Sequence, residues 1–126
     1  MIPMVDEGDF PEKEILEQSE TLIRMRLVLS ESLSYFDGHF PGHPILAGVV
    51  QVHWAVIYCK TFFPEMVEVL SVDALKFQQV ITPGQPLELE LSKLASGKLH
   101  FSYWLNGKAA SSGRIRFKQN NSELET

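Results

Sequence analysis

The chain has 126 residues, of which 44% are hydrophobic and 10% aromatic, which indicates one folded domain rather than a disordered segment. Its formal net charge of −5 argues against nucleic acid as the main partner, because phosphate binding needs a basic surface. The single cysteine, Cys59, cannot form an intramolecular disulfide, and the acidic N-terminus lacks the pattern of a signal peptide. We therefore expect a cytoplasmic protein.

The first 30 residues contain two differently patterned segments. Residues 1–20 carry two prolines and many acidic side chains, so we expect a loose arm with at most a helical turn over Glu12–Gln18. In Leu22–Leu29 two sets of residues alternate, and one set, Ile23, Met25, Leu27 and Leu29, is wholly apolar. This period of two predicts a strand with one apolar face.

A turn-rich loop, DGHFPGHP at residues 37–44, follows this strand. Pro41 and Pro44 lack backbone N–H groups, and each disfavours helical geometry at the residue before it. The loop is therefore constrained and non-helical, and it holds the side chain of His39 in place.

From Ala47 to Phe63 the chain has no proline and is apolar on nearly every face, which predicts a buried central helix. Its 17 residues are at the short limit for crossing a bilayer, and Gln51, His53 and Lys60 interrupt the apolar run. We therefore expect no membrane insertion.

Four strands are predicted after Pro64, which ends the helix: Val67–Val80 with an irregularity near Asp73, Leu87–Leu94, Leu99–Leu105 and Ala109–Lys118. Short turns join most of them, and Asn106-Gly107 is a strong hairpin signal, so the strands are antiparallel. Residues 119–126 form a polar tail. The order predicts a single α+β domain over residues 1–126, an antiparallel sheet wrapped around one helix, although another α+β sandwich also fits.

Three stretches of this sequence resemble the 3-hydroxyacyl-[acyl carrier protein] dehydratases of fatty acid synthesis, the FabZ and FabA group. They are GHFPGHPILAG at residues 38–48, DALKFQQVITPGQPLELEL at 73–91 and NGKAASSGRIRF at 106–117. The resemblance implies the hotdog fold, a long central helix wrapped by an antiparallel sheet. It also implies a homodimer or larger homo-oligomer with the active site between two chains, and a reaction that needs no cofactor.

Two positions depart from the family pattern. The family has Glu or Asp 14 positions after the loop histidine, where this chain has His53, and Ala47 stands where a proline is frequent. The helix sequence QVHWAV resembles a divergent branch, the dehydratases of aryl-polyene-type gene clusters.

The resemblance and the chemistry of dehydration together indicate three catalytic residues. His39 is the candidate base, because a neutral imidazole titrates near neutral pH. The backbone N–H of Gly48, in the first turn of the helix, is the candidate donor to the thioester oxygen. His53 could donate a proton as an imidazolium, position the hydroxyl as a neutral ring, or simply be a core residue.

The expected partner is an acyl carrier protein, which is acidic as a family trait and needs a basic patch on this acidic chain. Arg114, Arg116 and Lys118 alternate along the last strand and so share one face. No metal site is expected, since the prolines prevent His39 and His43 from using their helical spacing. Two alternative functions remain open, an inactive dehydratase-like subunit of a heteromer and an acyl thioesterase.

Overall fold

The computed structural model describes residues 10–30, 45–95 and 97–119, which form six strands and one helix. The elements in chain order are β1 Glu12–Gln18, β2 Leu22–Val28, α1 Gly48–Phe62, β3 Met66–Phe77, β4 Leu87–Lys93, β5 Lys98–Leu105 and β6 Lys108–Gln119. The strands form one sheet in the order β1-β2-β4-β5-β6-β3, with all neighbours antiparallel. The predicted arrangement of an antiparallel sheet around a central helix is confirmed.

The core lies between α1 and one face of this sheet. Alternate residues of the inner strands are fully buried there, because successive side chains of a strand point to opposite faces: Ile23, Met25 and Leu27 on β2, Leu87, Leu89 and Leu91 on β4, and Leu99, Phe101 and Tyr103 on β5. The helix buries Gln51, Trp54, Ala55, Tyr58 and Cys59. One apolar cluster therefore holds the helix against the sheet.

The expectation of a loose arm with a helical turn over Glu12–Gln18 was wrong, because this segment is strand β1. Its backbone pairs with β2, and its carboxylates face arginines of that strand, with Glu17 at 3.2 Å from Arg24 and Glu14 at 2.8 Å from Arg26. Because β1 is an edge strand exposed on both faces, its sequence does not alternate apolar and polar residues, and this pattern could not predict it. Residues 1–9 lie outside the described part of the chain.

The remaining boundaries agree closely with the sequence patterns. The irregularity expected near Asp73 is a bulge, with Ala74 at φ +56° and a register shift between Asp73 and Lys76. The strand predicted to run to Val80 ends at Phe77, because the next two amides both donate to the carbonyl of Ala110. No helix among the described residues is both long enough and apolar enough to cross a bilayer.

Candidate active site

The first turn of α1 carries backbone amides without a capping side chain. Ala47 is the N-cap and supplies no side-chain hydrogen bond, and the first turn has no acidic residue. The carbonyl of Ala47 accepts from the amides of Val50 at 3.0 Å and Gln51 at 3.1 Å. The amides of Gly48 and Val49 precede these and have no acceptor within the helix, where the positive end of the helix dipole favours an anionic group.

An apolar groove of about 360 Å³ lies beside this first turn. Its walls are Gly48, Val49 and Val52 of the helix and Val72, Leu75 and Phe77 of β3. The Phe77 ring covers Gly48 so closely that a Cβ added at Gly48 would lie 2.9 Å from two ring carbons. Glycine at position 48 therefore lets an aromatic wall approach the uncapped amides.

His53 lies one helical turn beyond Val49, about 7.5 Å along the helix axis from Gly48 at 1.5 Å per residue. Its ring is half-buried, and its Nε2 atom is buried with no hydrogen-bond partner among the described residues. Burial lowers the pKa of His53 from its ordinary value of 6.5, because desolvation disfavours the charged ring. The lowered pKa favours the neutral form of the His53 ring near pH 7.

The structure places two of the three predicted catalytic residues, Gly48 and His53, on the same helix. His39 lies outside the described residues, as do His43 and most of the predicted polar tail. The fourth histidine, His100, is exposed on β5 and has no role in this site.

The sequence analysis missed Gln51, which it treated only as an interruption of the apolar helix. Gln51 is buried and donates from Nε2 to the carbonyl of Leu46 at 2.9 Å. Its Oε1 accepts from the Ser111 hydroxyl at 2.5 Å, and its backbone carbonyl accepts from the Tyr103 hydroxyl at 2.7 Å. A lone amide side chain in an apolar helix was the available signal, because a buried polar group requires partners.

Two aromatic residues of the helix and the one at its C-cap are core residues. Trp54, Tyr58 and Phe63 are buried, and the ring of Phe10 packs against Trp54 and Tyr58. Cys59 is also buried, which raises the pKa of its thiol to about 12 and leaves it unreactive.

Metal-binding geometry is not found in the part of the chain that the structure describes. Within it, no group of three or more His, Cys, Asp or Glu side chains could hold a metal ion.

The outer surface of β5 and β6 carries a cluster of exposed basic side chains, which we call the cationic face: Lys98, Arg114, Arg116 and Lys118. Lys98 lies directly opposite Arg116, and among the described residues neither takes part in a salt bridge. Arg114 lies 3.5 Å from Asp73. Like charges that face each other across strands are destabilising, so the Lys98 and Arg116 pair is unfavourable in the isolated chain.

The chain is similar to known dehydratases in both sequence and structure. The family model ApeI-like, described as ApeI dehydratase, matches residues 12–114. The 3-hydroxyacyl-[acyl-carrier-protein] dehydratase FabZ of Ruminiclostridium cellulolyticum is 30% identical over 113 residues, and the match covers 81% of this chain and 79% of the relative. The FabZ of Acidiphilium cryptum is 35% identical over 74 residues, and that match covers 52% of this chain and only 45% of the relative.

Among solved structures, the dehydratase heterocomplex ApeI:P from Xenorhabdus doucetiae superimposes with a TM-score of 0.80 at 30% identity. The match covers 86% of this chain and 98% of that one. The sheet wrapped around one helix is therefore the hotdog fold that the sequence motifs imply.

Proposed function

The chain belongs to the ApeI-like dehydratase family, and we propose that it removes water from 3-hydroxyacyl thioesters carried by an acyl carrier protein, giving trans-2-enoyl thioesters. The observation that carries this proposal is the uncapped helix start at Gly48 beside an apolar groove. When a base removes the proton from C2, negative charge develops on the thioester oxygen. A backbone N–H in a site that excludes water stabilises that charge, and the groove accepts the acyl chain.

The proton transfers are assigned to His39. The neutral imidazole takes the C2 proton, the C2–C3 double bond forms as the C3–O bond breaks, and the imidazolium returns its proton to the departing hydroxyl as water. This assignment rests on the GHFPG motif, in which the prolines constrain the loop around His39.

His53 positions the hydroxyl in this scheme. Its pKa is lowered by burial, so it does not supply an imidazolium at neutral pH. A neutral ring still offers one N–H donor and one acceptor nitrogen, and its buried Nε2 is unpaired in the described part of the chain. A substrate hydroxyl within the site would satisfy that atom.

A second chain completes the site at the free edge of β3. This strand is at one end of the sheet and exposes four large apolar side chains along its length, Val67, Leu70, Leu75 and Phe77, of which the last two line the groove. An exposed apolar edge strand favours pairing with another strand. We expect a homodimer in sedimentation velocity at micromolar concentration, and a monomer there would contradict this part of the proposal.

The carrier protein docks on the cationic face. Reversing one charge with Arg116→Glu should raise KM for a carrier-bound substrate while leaving kcat/KM for a short N-acetylcysteamine thioester unchanged. The matched control is Arg26→Glu, the same change on the half of the sheet where Arg26 already pairs with Glu14. Equal KM values for both variants and the parent would remove the cationic face from carrier recognition.

Mass spectrometry of a 3-hydroxyacyl carrier protein incubated with the chain tests the function directly. We expect the acyl-carrier mass to fall by one water, and the reaction to stop in a folded His39→Ala variant. Loss of the whole acyl group would instead identify a thioesterase, a class that usually needs a carboxylate on the helix. The helix Gly48–Phe62 has none.

A specific observation supports one alternative, an inactive subunit that stabilises a catalytic partner. His53 replaces the carboxylate of the family pattern, and the similar Xenorhabdus structure is a heterocomplex. An unchanged carrier mass with this chain alone, followed by dehydration when a partner subunit is added, would favour that function.

A further inference from the structure

We propose that Gln51, held by Ser111 and Tyr103, is a positioning residue that sets the start of α1 so that the Gly48 amide points into the groove. This inference rests on the proposed function for its catalytic consequence, and on the contacts of Gln51 for its geometry. Gln51 itself does not touch the groove, because it faces the sheet on the buried side of the helix.

Gln51 is only 3% exposed in an otherwise apolar core, yet both its side-chain polar atoms are paired. Its amide nitrogen donates to Leu46, one residue before the helix cap, and its carbonyl oxygen accepts from Ser111 on β6. The backbone N–H of Leu46 also donates to Ile81 at 2.8 Å. The segment that enters the helix is thus fixed through both backbone groups of Leu46.

This arrangement restrains the start of the helix, as a cap residue would, but it does not accept hydrogen bonds from the helix amides. An ordinary Ser, Thr, Asp or Asn cap would accept hydrogen bonds from the amides of the first turn. Here Ala47 leaves those amides uncapped, while Gln51 restrains the entry from the opposite side. The chain gains a fixed helix start and keeps its donors free for an oxyanion.

Tyr103 anchors the same residue to the centre of the sheet. Its ring is fully buried on β5, and its hydroxyl donates to the backbone carbonyl of Gln51. Burial raises the pKa of Tyr103 well above its ordinary value, so the hydroxyl stays protonated and continues to donate. The helix start is therefore tied to β5 through Tyr103 and to β6 through Ser111.

The test compares three variants of the full chain: Gln51→Leu, which keeps the approximate volume, Gln51→Glu, and the control Ile23→Val. Ile23 is fully buried on β2 and lies opposite Gln18 of β1 and Leu91 of β4. The control therefore weakens the core at a residue that takes no part in the hydrogen bonds of Gln51. Each variant is assayed well below its unfolding midpoint, with kcat and KM measured on the N-acetylcysteamine thioester. The backbone amide of Gly48 is followed by ¹H–¹⁵N NMR.

For Gln51→Leu we expect kcat to fall about 10- to 100-fold with little change in KM, as for a misplaced oxyanion donor, and the Gly48 resonance to move. Ile23→Val should change neither. Compared with the parent at the same pH, Gln51→Glu should have a nearly parental kcat at low pH, where a protonated carboxyl can donate to Leu46, and a lower kcat as the carboxyl ionises.

Parental kcat in a folded Gln51→Leu protein would overturn the proposal, as would an unchanged Gly48 resonance or a Gln51→Glu pH profile like that of the parent. If the parent chain itself does not dehydrate the substrate, the proposed function fails. The Gly48 resonance then decides the positioning role, since its response to Gln51→Leu does not depend on turnover.

Discussion

The side of α1 that faces the sheet buries Gln51, Trp54, Ala55, Tyr58 and Cys59, whereas the other side leaves Val49 64% exposed and His53 half-buried. The buried side has close neighbours from the sheet, and the open side has an apolar groove and a histidine nitrogen that is unpaired among the described residues. Side chains facing the sheet therefore fix the position of the helix, and in the proposed function the groups on the open side contact the substrate or a second chain.

The largest expected difference between the two sides is in stability. Trp54→Ala removes a fully buried ring and should lower the free energy of unfolding by about 3–5 kcal/mol, while Val49→Ala should change it by no more than about 0.5 kcal/mol. Urea denaturation followed by circular dichroism measures both. Similar losses in the two variants would show that the open side is also packed in solution, as in a tight dimer.

Alanine substitutions at Gly48 and Gly113 compare the stability cost of an added Cβ at the open side of the helix with its cost in the buried core. A Cβ at Gly113 would lie 2.6 Å from both Leu75 Cδ2 and the buried Phe101 ring, so Gly113→Ala should cost about 1–3 kcal/mol. A Cβ at Gly48 would have the Phe77 ring as its nearest neighbour, and because this ring is 52% exposed and can move aside, Gly48→Ala should cost less than about 1 kcal/mol. Thermal unfolding of the pair checks this order, and the reverse order would contradict the assignment of the open side.

Replacing His53 distinguishes a positioning role from proton donation. If the neutral ring only orients the hydroxyl, His53→Gln keeps a hydrogen-bonding group and should lower kcat by less than about 10-fold. A proton donor at this position would make the loss about 10²–10⁴-fold, the usual range for general acid–base catalysis. In that case His53→Glu, which restores the family's carboxyl group, should retain more activity than His53→Gln.

The smallest expected effect is on the pH dependence of stability. Because the pKa of His53 is lower in the folded than in the unfolded chain, the unfolded chain binds the proton more readily. The contribution of the neutral ring is therefore fully present above the ordinary pKa of 6.5 and is lost as pH falls through the folded value. Urea midpoints of the parent should drop more steeply below pH 6.5 than those of His53→Gln; parallel curves would contradict the lowered pKa.

The sequence predicted the elements whose signals are local. The apolar run after the GHFPG loop predicted the helix to within one residue at each end, period-two alternation predicted β2, and turn residues delimited β4, β5 and β6. It did not predict β1, since an edge strand with charged residues on both faces depends on pairing with β2 rather than on burial. The catalytic assignment of His39 came from a motif and stays a prediction.

By itself, the sequence determined the helix, most of the strands and the position of Gly48 at the helix start, because the Gly/Pro pattern, hydrophobic periodicity and hairpin residues act over a few neighbouring positions. The hotdog architecture was implied by the resemblance of three motifs to a known family, since the pattern of elements also fits another α+β sandwich. Only the tertiary structure decided which side of α1 is buried, since that helix is apolar almost all round. It also decided the protonation preference of His53 and the partners of Gln51. The partners of Gln51 include Tyr103 and Ser111, 52 and 60 positions away, which only the folding of β5 and β6 against the helix brings within hydrogen-bond distance.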